Sequence, residues 1–529
     1  PTRKQEIFEI ESNRLFDEVT ALARSQQFKN KDIPEGGSKA VLLLGPEGNI
    51  DLAVKSMVNS LLDVILTPED ASRGYSLPGV VDYMGRQELI YLGPDEHITP
   101  AHIDWIVNRA RLRGYHWASA FMSSKPKTGI NHKQYGVTSR GVVVFAEEML
   151  KHVGIDPRKE PFTVKLTGGP AGDVAGNAMR VLFEDYGDNA KIVAVSDGSG
   201  AAYDPDGLAR EELMRLVEAE KDIAEFDASR LKGRNAFVIG VEEADGARVR
   251  DTLHNKAKAD LFIPAGGRPD TINIKNWRDY LDERGVPTSK AIVEGANIFL
   301  SQPARDQLEK QGVMIVHGAS ANKTGVICSS YEILAGLMLS DEEFLEIKDR
   351  YVSEVLEILK IRARDEARLL LKEFRACGGC RPLTAISLDL STEINQLADV
   401  MRETLEKDIG KLRDDHEFFA LAMTYCPPII GEKYADRFAE RVPLAHQLAL
   451  VSAYAAARMV YSEGLDWPKR IAEVREMSEV VRTYIRQEKK LASYVLELRE
   501  SGLAGRDEIV EVLLGAGRKY MTGKALGLE

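Results

Sequence analysis

Cysteine is scarce: four residues in a chain of 529 are too few for a disulfide framework, so a reducing compartment is expected. Long apolar runs are missing too. No stretch approaches the ~20 residues of a membrane-spanning helix, and the opening PTRKQEIFEIESNR carries no signal-peptide pattern. The expected location is the cytoplasm, or the mitochondrion if the source is eukaryotic. Positive charge is not in excess. Lys and Arg number 70 against 82 Asp and Glu, a formal net charge of -12, which argues against a dedicated nucleic-acid binder but not against holding small anions. There is no internal repeat and no low-complexity tract. Cys377-Gly-Gly-Cys380 comes nearest to a metal or redox motif. Structural zinc needs four ligands and a redox CxxC needs a βαβ context; neither lies nearby, so the segment reads as two thiols in a glycine turn between helices, and no metal is expected.

What is present fits an ordinary globular chain, 44% hydrophobic and 29% charged, and too long for a single core, so two or three domains are expected. The first ~150 residues predict short strands at Lys39–Leu44 and Glu88–Tyr91 among helices such as Thr99–Arg113 and Thr138–Val153. After Pro161 the rhythm changes. Strands are expected at Phe162–Thr167, Lys191–Ser196, Ala236–Gly240, Leu261–Pro264, Ala291–Glu294 and Val313–Val316, with helices between several of them, Val174–Tyr186 first. That alternation predicts a parallel, doubly wound sheet. From Ser340 the pattern is almost wholly helical (Ser340–Leu371, Leu444–Tyr461, Met477–Arg499), the kind of tail that packs as a domain or oligomer interface.

Strand Phe162–Thr167 runs into Thr167-Gly-Gly-Pro-Ala-Gly-Asp-Val-Ala175 and then a helix. Glycines let backbone turn tightly against a pyrophosphate, whose charge is met by free N–H groups at the helix start, here at Asp173 and Val174. The spacing Gly169-x-x-Gly172-x-x-Ala175 is longer in its first gap than GxGxxG, and alone it is weak. Asp197, at the tip of the next strand, strengthens it: an acid there accepts hydrogen bonds from the ribose hydroxyls of NAD and repels the extra phosphate of NADP. Its bland reading is a turn acid before Gly198. The loops Pro264-Ala-Gly-Gly-Arg-Pro269 and Glu294-Gly-Ala-Asn297 also follow predicted strands, where ligands of such sheets sit.

Pro34-Glu-Gly-Gly-Ser-Lys39 places a lysine after two glycines. A lysine held against backbone and apolar neighbours can lose its proton near neutrality and activate water. Leu92-Gly-Pro-Asp95 puts an acid after a predicted strand. Tyr135-Gly-Val-Thr138-Ser-Arg140-Gly141 opens one helix and Ala321-Asn322-Lys-Thr-Gly-Val-Ile-Cys-Ser329-Ser330 another. Each alone is ordinary. Their order, with the wording FKNKDIPEGGSK, TGGPAGDVAGN, PAGGRPDTIN and SANKTGV, resembles the large NAD-dependent glutamate dehydrogenases, strongly from Gln27 to Glu332 and more loosely over Pro428–Trp467.

That resemblance implies oxidative deamination of L-glutamate to 2-oxoglutarate and ammonium, with hydride transfer to NAD leaving an iminium. Lys39 is then the water-activating lysine and Asp95 the proton shuttle. The lysine holding the substrate α-carboxylate falls on Lys29 if two residues are deleted before Pro34, with Lys31 as competitor. Ser329 falls on the serine that contacts the side-chain carboxylate, Thr138 on the threonine near the nicotinamide amide, and Asn297 and Asn322 on the asparagines near the nicotinamide ribose and amide. Gly169, Gly172, Asp173, Val174 and Asp197 complete the NAD site. The implied architecture is α/β: a substrate domain (1–153), a doubly wound Rossmann-type domain (154–318), a return segment to the cleft (319–345) and an all-helical C-terminal domain (346–529). Domain closure is the expected gating motion, and a homo-oligomer, tetramer or hexamer, is expected. The family carries further glycine-rich and basic segments upstream of its lysine motif that this chain lacks, so its substrate domain is expected to be truncated. Two alternatives stay open: a leucine- or phenylalanine-type dehydrogenase, and an inactive regulatory homologue.

Overall fold

A computed structural model describes residues 5–33, 38–66, 79–81, 83, 88–95, 97–407, 416–473 and 475–527. The glycines and proline of the Pro34–Gly37 motif lie outside the described residues. The chain divides into two units, one of 1–29, 36–348 and 356–387, the other of 30–35, 349–355 and 388–529.

The first unit is built on a seven-stranded sheet: β1 (Phe162–Thr167), β2 (Ala190–Ser196), β3 (Gly200–Tyr203), β4 (Phe237–Gly240), β5 (Leu261–Pro264), β6 (Ala291–Val293) and β7 (Met314–Val316), in the order β4-β3-β2-β1-β5-β6-β7. Pairs β2-β1, β1-β5, β5-β6 and β6-β7 are parallel. Their apolar runs are buried because helices cover a parallel sheet on both faces; Val164, Ile192, Leu261, Ile292 and Ile315 are all inaccessible. The chain leaves β1 for β2, β3 and β4, then returns to β5 on β1's other side. This reversal opens a crevice beyond the carboxyl ends of β1 and β5.

Two expectations need correction. The sheet is not wholly parallel: β2-β3 and β3-β4 are antiparallel. Strand β3, Gly-Ala-Ala-Tyr, escaped the sequence reading because small residues carry little strand preference, yet Gly200 is demanded there, since a Cβ would strike the Ile239 carbonyl oxygen. Nor do Lys39–Leu44 and Glu88–Tyr91 form strands. A strand needs a partner for its N–H and C=O groups, and among the described residues the first has none; Val41, Leu42 and Leu43 stand exposed. Near the second, only Leu92 makes an isolated parallel bridge, to Met122.

Around this segment the Ile50–Ile65 and Pro100–Leu112 helices pack through Val54, Val58, Leu62, Ile103 and Ile106. Thr99 caps the second with a reciprocal box to His102. The Val137–His152 helix is buried along most of its length. A 36-residue helix, Asp341–Ala376, begins at the Ser340–Glu343 capping box. The second unit is helical among its described residues, its centre the buried Leu444–Glu463 helix, with Met477–Glu500 amphipathic beside Arg458–Glu488. No helix among the described residues is long and apolar enough to cross a membrane.

Candidate active site

At the end of β1 the chain turns at Gly168, whose φ is +89°. A Cβ there would come within 3.0 Å of Gly266 N, so the turn and the Ala265–Gly267 loop meet backbone to backbone. A Cβ on Gly169 would overlap the Asp197 carboxylate, and one on Gly176 the Pro170 carbonyl oxygen. Gly172 is the N-cap of the Asp173–Tyr186 helix and no side chain caps it, so the opening amides at Asp173 and Val174 face the crevice end without a side-chain competitor. The Val174 carbonyl accepts from Ser139 Oγ at 2.8 Å, and a Cβ on Gly295 would lie 3.0 Å from Val174 Cγ1. Narrow glycine walls and an uncapped helix start together suit a dinucleotide.

Asp197 makes the bonds of a turn acid. Its Oδ1 accepts from Ser199 N at 2.8 Å and Ser199 Oγ at 2.6 Å, and its Oδ2 from Ile223 N at 2.8 Å. The same carboxylate lies against Gly169, at the place a ribose would reach.

After β6, Glu294 is wholly buried and accepts from Arg305 Nη2 at 2.9 and 3.1 Å, Arg305 Nε at 3.2 Å and Gly318 N at 2.9 Å. This fixes the loop that carries Asn297, and Ile298 holds φ +51° there, a strained value for a β-branched residue. Asn322 Nδ2 donates to Asn297 Oδ1 at 3.0 Å and to the Gly295 carbonyl at 3.2 Å. Its buried Oδ1 has no partner, an acceptor aimed at whatever fills the crevice. Next to it, buried Lys323 pairs with buried Glu366.

Lys39 and Asp95 are brought together as a direct ion pair across 56 positions of chain, the lysine side chain 16% exposed and the aspartate 59%. Asp95 follows Gly93, where a Cβ would come within 3.7 Å of Ser123 Oγ. Ser329 Oγ donates to that same Ser123 Oγ at 3.3 Å. One turn earlier in the Thr324–Met338 helix, Gly325 sits against Thr138: a Cβ would be 2.6 Å from Thr138 Oγ1. Ser329 and Gly325, which abuts Thr138, thus share one helix; Ser123 links it to Gly93, two residues before Asp95, and Asn322 stands two residues before its start, beside Asn297. Lys29 is buried and lies near His317 at the tip of β7, where burial, then Arg305 and Lys29, hold the imidazole well below its ordinary range. Lys31 falls in the second unit.

Sequence reasoning missed four residues here. Ser123 is the link between Gly93 and Ser329. Glu332, 1% exposed, accepts from Ser124 N at 2.7 Å, Lys125 N at 3.0 Å and Lys125 Nζ at 3.0 Å, bracing the Ser123–Lys125 segment. His132 has a buried Nε2 without a partner, and burial holds its imidazole below the ordinary range. Only Glu332 had a visible signal, a carboxylate in an otherwise apolar helical run. The other partners are distant in sequence and follow no local period. Cys377 and Cys380 do lie in a glycine turn between helices, both as free thiols.

Two family models match the chain: Glutamate/Leucine/Phenylalanine/Valine dehydrogenase over residues 129–372, and Bacterial NAD-glutamate dehydrogenase, catalytic domain, over 15–231. Similar curated proteins include the probable NAD-specific glutamate dehydrogenase of Schizosaccharomyces pombe, 37% identical over 86% of this chain and 42% of that protein. The NAD-specific glutamate dehydrogenase of Saccharomyces cerevisiae is 33% identical over 88% of this chain and 44% of its own length. The chain thus spans less than half the length of these two relatives. Among solved structures, Plasmodium falciparum glutamate dehydrogenase superposes with a TM-score of 0.47 at 19% identity, covering 70% of each chain.

Proposed function

Because the chain belongs to the Glutamate/Leucine/Phenylalanine/Valine dehydrogenase family, among its large NAD-specific glutamate dehydrogenases, we propose that the protein oxidatively deaminates L-glutamate to 2-oxoglutarate and ammonium with NAD. The observation that carries this reading is the Lys39–Asp95 ion pair, two residues from Gly93, which Ser123 links to the helix of Ser329. NAD supplies the hydride acceptor. In this reading the Gly169–Gly172 turn and the amides of Asp173 and Val174 hold the pyrophosphate, Asp197 the ribose, and Thr138, Asn297 and Asn322 the nicotinamide end. Asp197 favours NAD over NADP by charge. Segment 1–153 presents the substrate, 154–318 the cofactor, and 319–345 returns to the cleft.

Once the Cα–H bond is broken, the substrate iminium must be attacked by water. Lys39, as the neutral amine, takes a proton from that water as its oxygen bonds to the iminium carbon and the C=N π pair moves onto nitrogen. Asp95, touching Lys39, takes and returns the proton on nitrogen. Ser329, with Lys29, orients the substrate carboxylates. Self-association as a tetramer or hexamer belongs to the same proposal and is read by sedimentation.

The test is steady-state NAD reduction by the protein that carries this chain, with glutamate, leucine and phenylalanine compared. Glutamate is expected to give the highest kcat/KM. Turnover with leucine and none with glutamate overturns the substrate, and no NAD binding by calorimetry overturns the enzyme. Lys39→Met is expected to lower kcat by about 10²–10⁴-fold and to leave NAD affinity unchanged.

A further inference from the structure

Outside the site just described, one pair of nucleophilic side chains stands together and accessible. The Asp341–Ala376 helix ends with Cys377 as its C-cap. Gly378 and Gly379 follow with φ of +64° and +73°, consecutive left-handed conformations that define a type I′ turn and that glycine adopts without strain. The turn closes with Cys380 N donating to the Cys377 carbonyl at 3.3 Å, and residues at the two ends of a closed β-turn lie within ~7 Å, Cα to Cα, the range a disulfide spans. The two sulfurs stand close enough to shift each other's ionisation. Cys380 is exposed and Cys377 half-exposed, whereas Cys328 and Cys426 are buried.

We propose that Cys377 and Cys380 form a reversible dithiol–disulfide site that reacts with small hydroperoxides, Cys377 attacking and Cys380 resolving.

The backbone assigns those roles. The backbone amides of Arg381, Cys380 and Gly379 lie near the Cys377 sulfur, Gly379 N donating to the Phe374 carbonyl and Cys380 N to the Cys377 carbonyl, and their dipoles favour an anion there. Partial burial raises the Cys377 thiol, but these amides and the Cys380 thiol outweigh it and bring it below its ordinary value. The Phe374 carbonyl, which accepts from Cys377 Sγ at 3.2 Å, and the helix C-terminus oppose that shift. Cys380 is shifted upward, first by its neighbour Cys377. A thiolate next to an exposed thiol is the arrangement that redox-responsive cysteines share. In the first step the Cys377 thiolate displaces hydroxide from a hydroperoxide, giving a sulfenic acid. In the second the Cys380 sulfur attacks the Cys377 sulfur; the S–S bond forms, the S–O bond breaks and water leaves with the Cys380 proton. Overall two thiols and one hydrogen peroxide give one disulfide and two waters, and two electrons pass from sulfur to the peroxide.

The protein is treated with stoichiometric hydrogen peroxide at neutral pH, and the peptide spanning Cys377–Cys380 is followed by mass spectrometry. A loss of two hydrogens reversed by dithiothreitol is expected, with Cys328 and Cys426 unchanged. In Cys380→Ser, Cys377 is expected to stop as a sulfenic acid trapped by a dimedone probe. In Cys377→Ser, Cys380 is expected to react at least ~10-fold more slowly than Cys377 does in the other variant. A pair that stays reduced while the buried cysteines oxidise, or equal reactivity of the two single variants, overturns the proposal, as does a disulfide formed only between chains. None of these readouts involves NAD or glutamate, so the outcome is independent of the catalytic reading.

Discussion

Replacing Arg305 by methionine leaves the Glu294 carboxylate buried with one remaining donor, Gly318 N at 2.9 Å. Three contacts of 2.9, 3.1 and 3.2 Å from the guanidinium disappear, and the two side chains are 5% and 0% exposed, so water does not replace them. Breaking a buried pair on one side costs about 3–5 kcal/mol, much of it the stranded charge rather than the worth of the pair. With a urea m-value of ~3 kcal/mol/M, the unfolding midpoint drops by roughly 1–1.7 M. Glu294→Gln in the same background removes the stranded charge while its amide oxygen still accepts from Gly318 N. The double variant is therefore expected to regain about 1–2 kcal/mol over Arg305→Met alone. The same pair holds the loop of Asn297 and the turn before Asn322, so Arg305→Met is also expected to weaken NAD binding by about tenfold, or ~1.4 kcal/mol. Urea unfolding and calorimetry read the two effects. A single variant that costs under ~1 kcal/mol, or a double variant whose loss is the sum of the two singles, refutes the reasoning.

Other perturbations separate stability from cofactor binding. Burial pushes Glu309 up from 4.5 to about 7, although its oxygens accept from Thr384 N at 3.1 Å and Thr384 Oγ1 at 2.7 Å. The folded chain then holds more protons than the unfolded one between those values, so stability falls as pH rises through roughly 4.5–7 and levels off above, by on the order of 3 kcal/mol. Glu309→Gln should flatten that slope in melts at pH 5 and pH 8, and an unchanged slope counts against it. Gly169→Ala drives a methyl into the Asp197 carboxylate; at least tenfold weaker NAD binding with near-normal melting is expected, and normal affinity would remove Gly169 from the site. Glu332→Gln leaves Lys125, 4% exposed, without its charge partner, so about 3 kcal/mol of stability should be lost, with faster amide exchange at Ser124 and Lys125; protection equal to wild type refutes the bracing role.

Much of the fold was legible in the sequence, and the reason is local. The strands from Phe162–Thr167 to Met314–Val316 are apolar runs between turn residues, and buried parallel strands look like that in any chain. Helix ends were readable at Thr99 and Ser340, where caps mark them. Strand β3 was not, because Gly-Ala-Ala-Tyr has no pattern of its own and exists through pairing with β2 and β4. Lys39–Leu44 failed in the opposite way: its apolar run is strand-like, but a strand is a property of two segments, and no second one is found among the described residues.

The site divides along the same line. Gly169 and Gly172 were legible in the turn after β1, whereas the tight conformation of Gly168 and the close approach of Gly176 to Pro170 came only with the structure. Asp197 was legible as an acid at a strand tip, but its Ile223 bond was not, being 26 positions away. Ser123 and Lys125 were invisible for that reason as well, since the bond that makes each of them matter spans more than 200 positions, and the isolated carboxylate of Glu332 did not say what it held. Their consequence is structural order of a particular kind. Asn322 reaches back to Asn297, Gly325 abuts Thr138, Ser329 meets Ser123 and Glu332 holds Lys125, all from one stretch of fewer than a dozen residues at a helix start. In the reading proposed above, the start of this helix, with Asn322 two residues before it, would set the spacing between the nicotinamide end of the crevice and the Lys39–Asp95 pair. For a transfer that requires reacting atoms within ~3.5 Å, one helix start tied to both sides would fix their distance more closely than two independent loops.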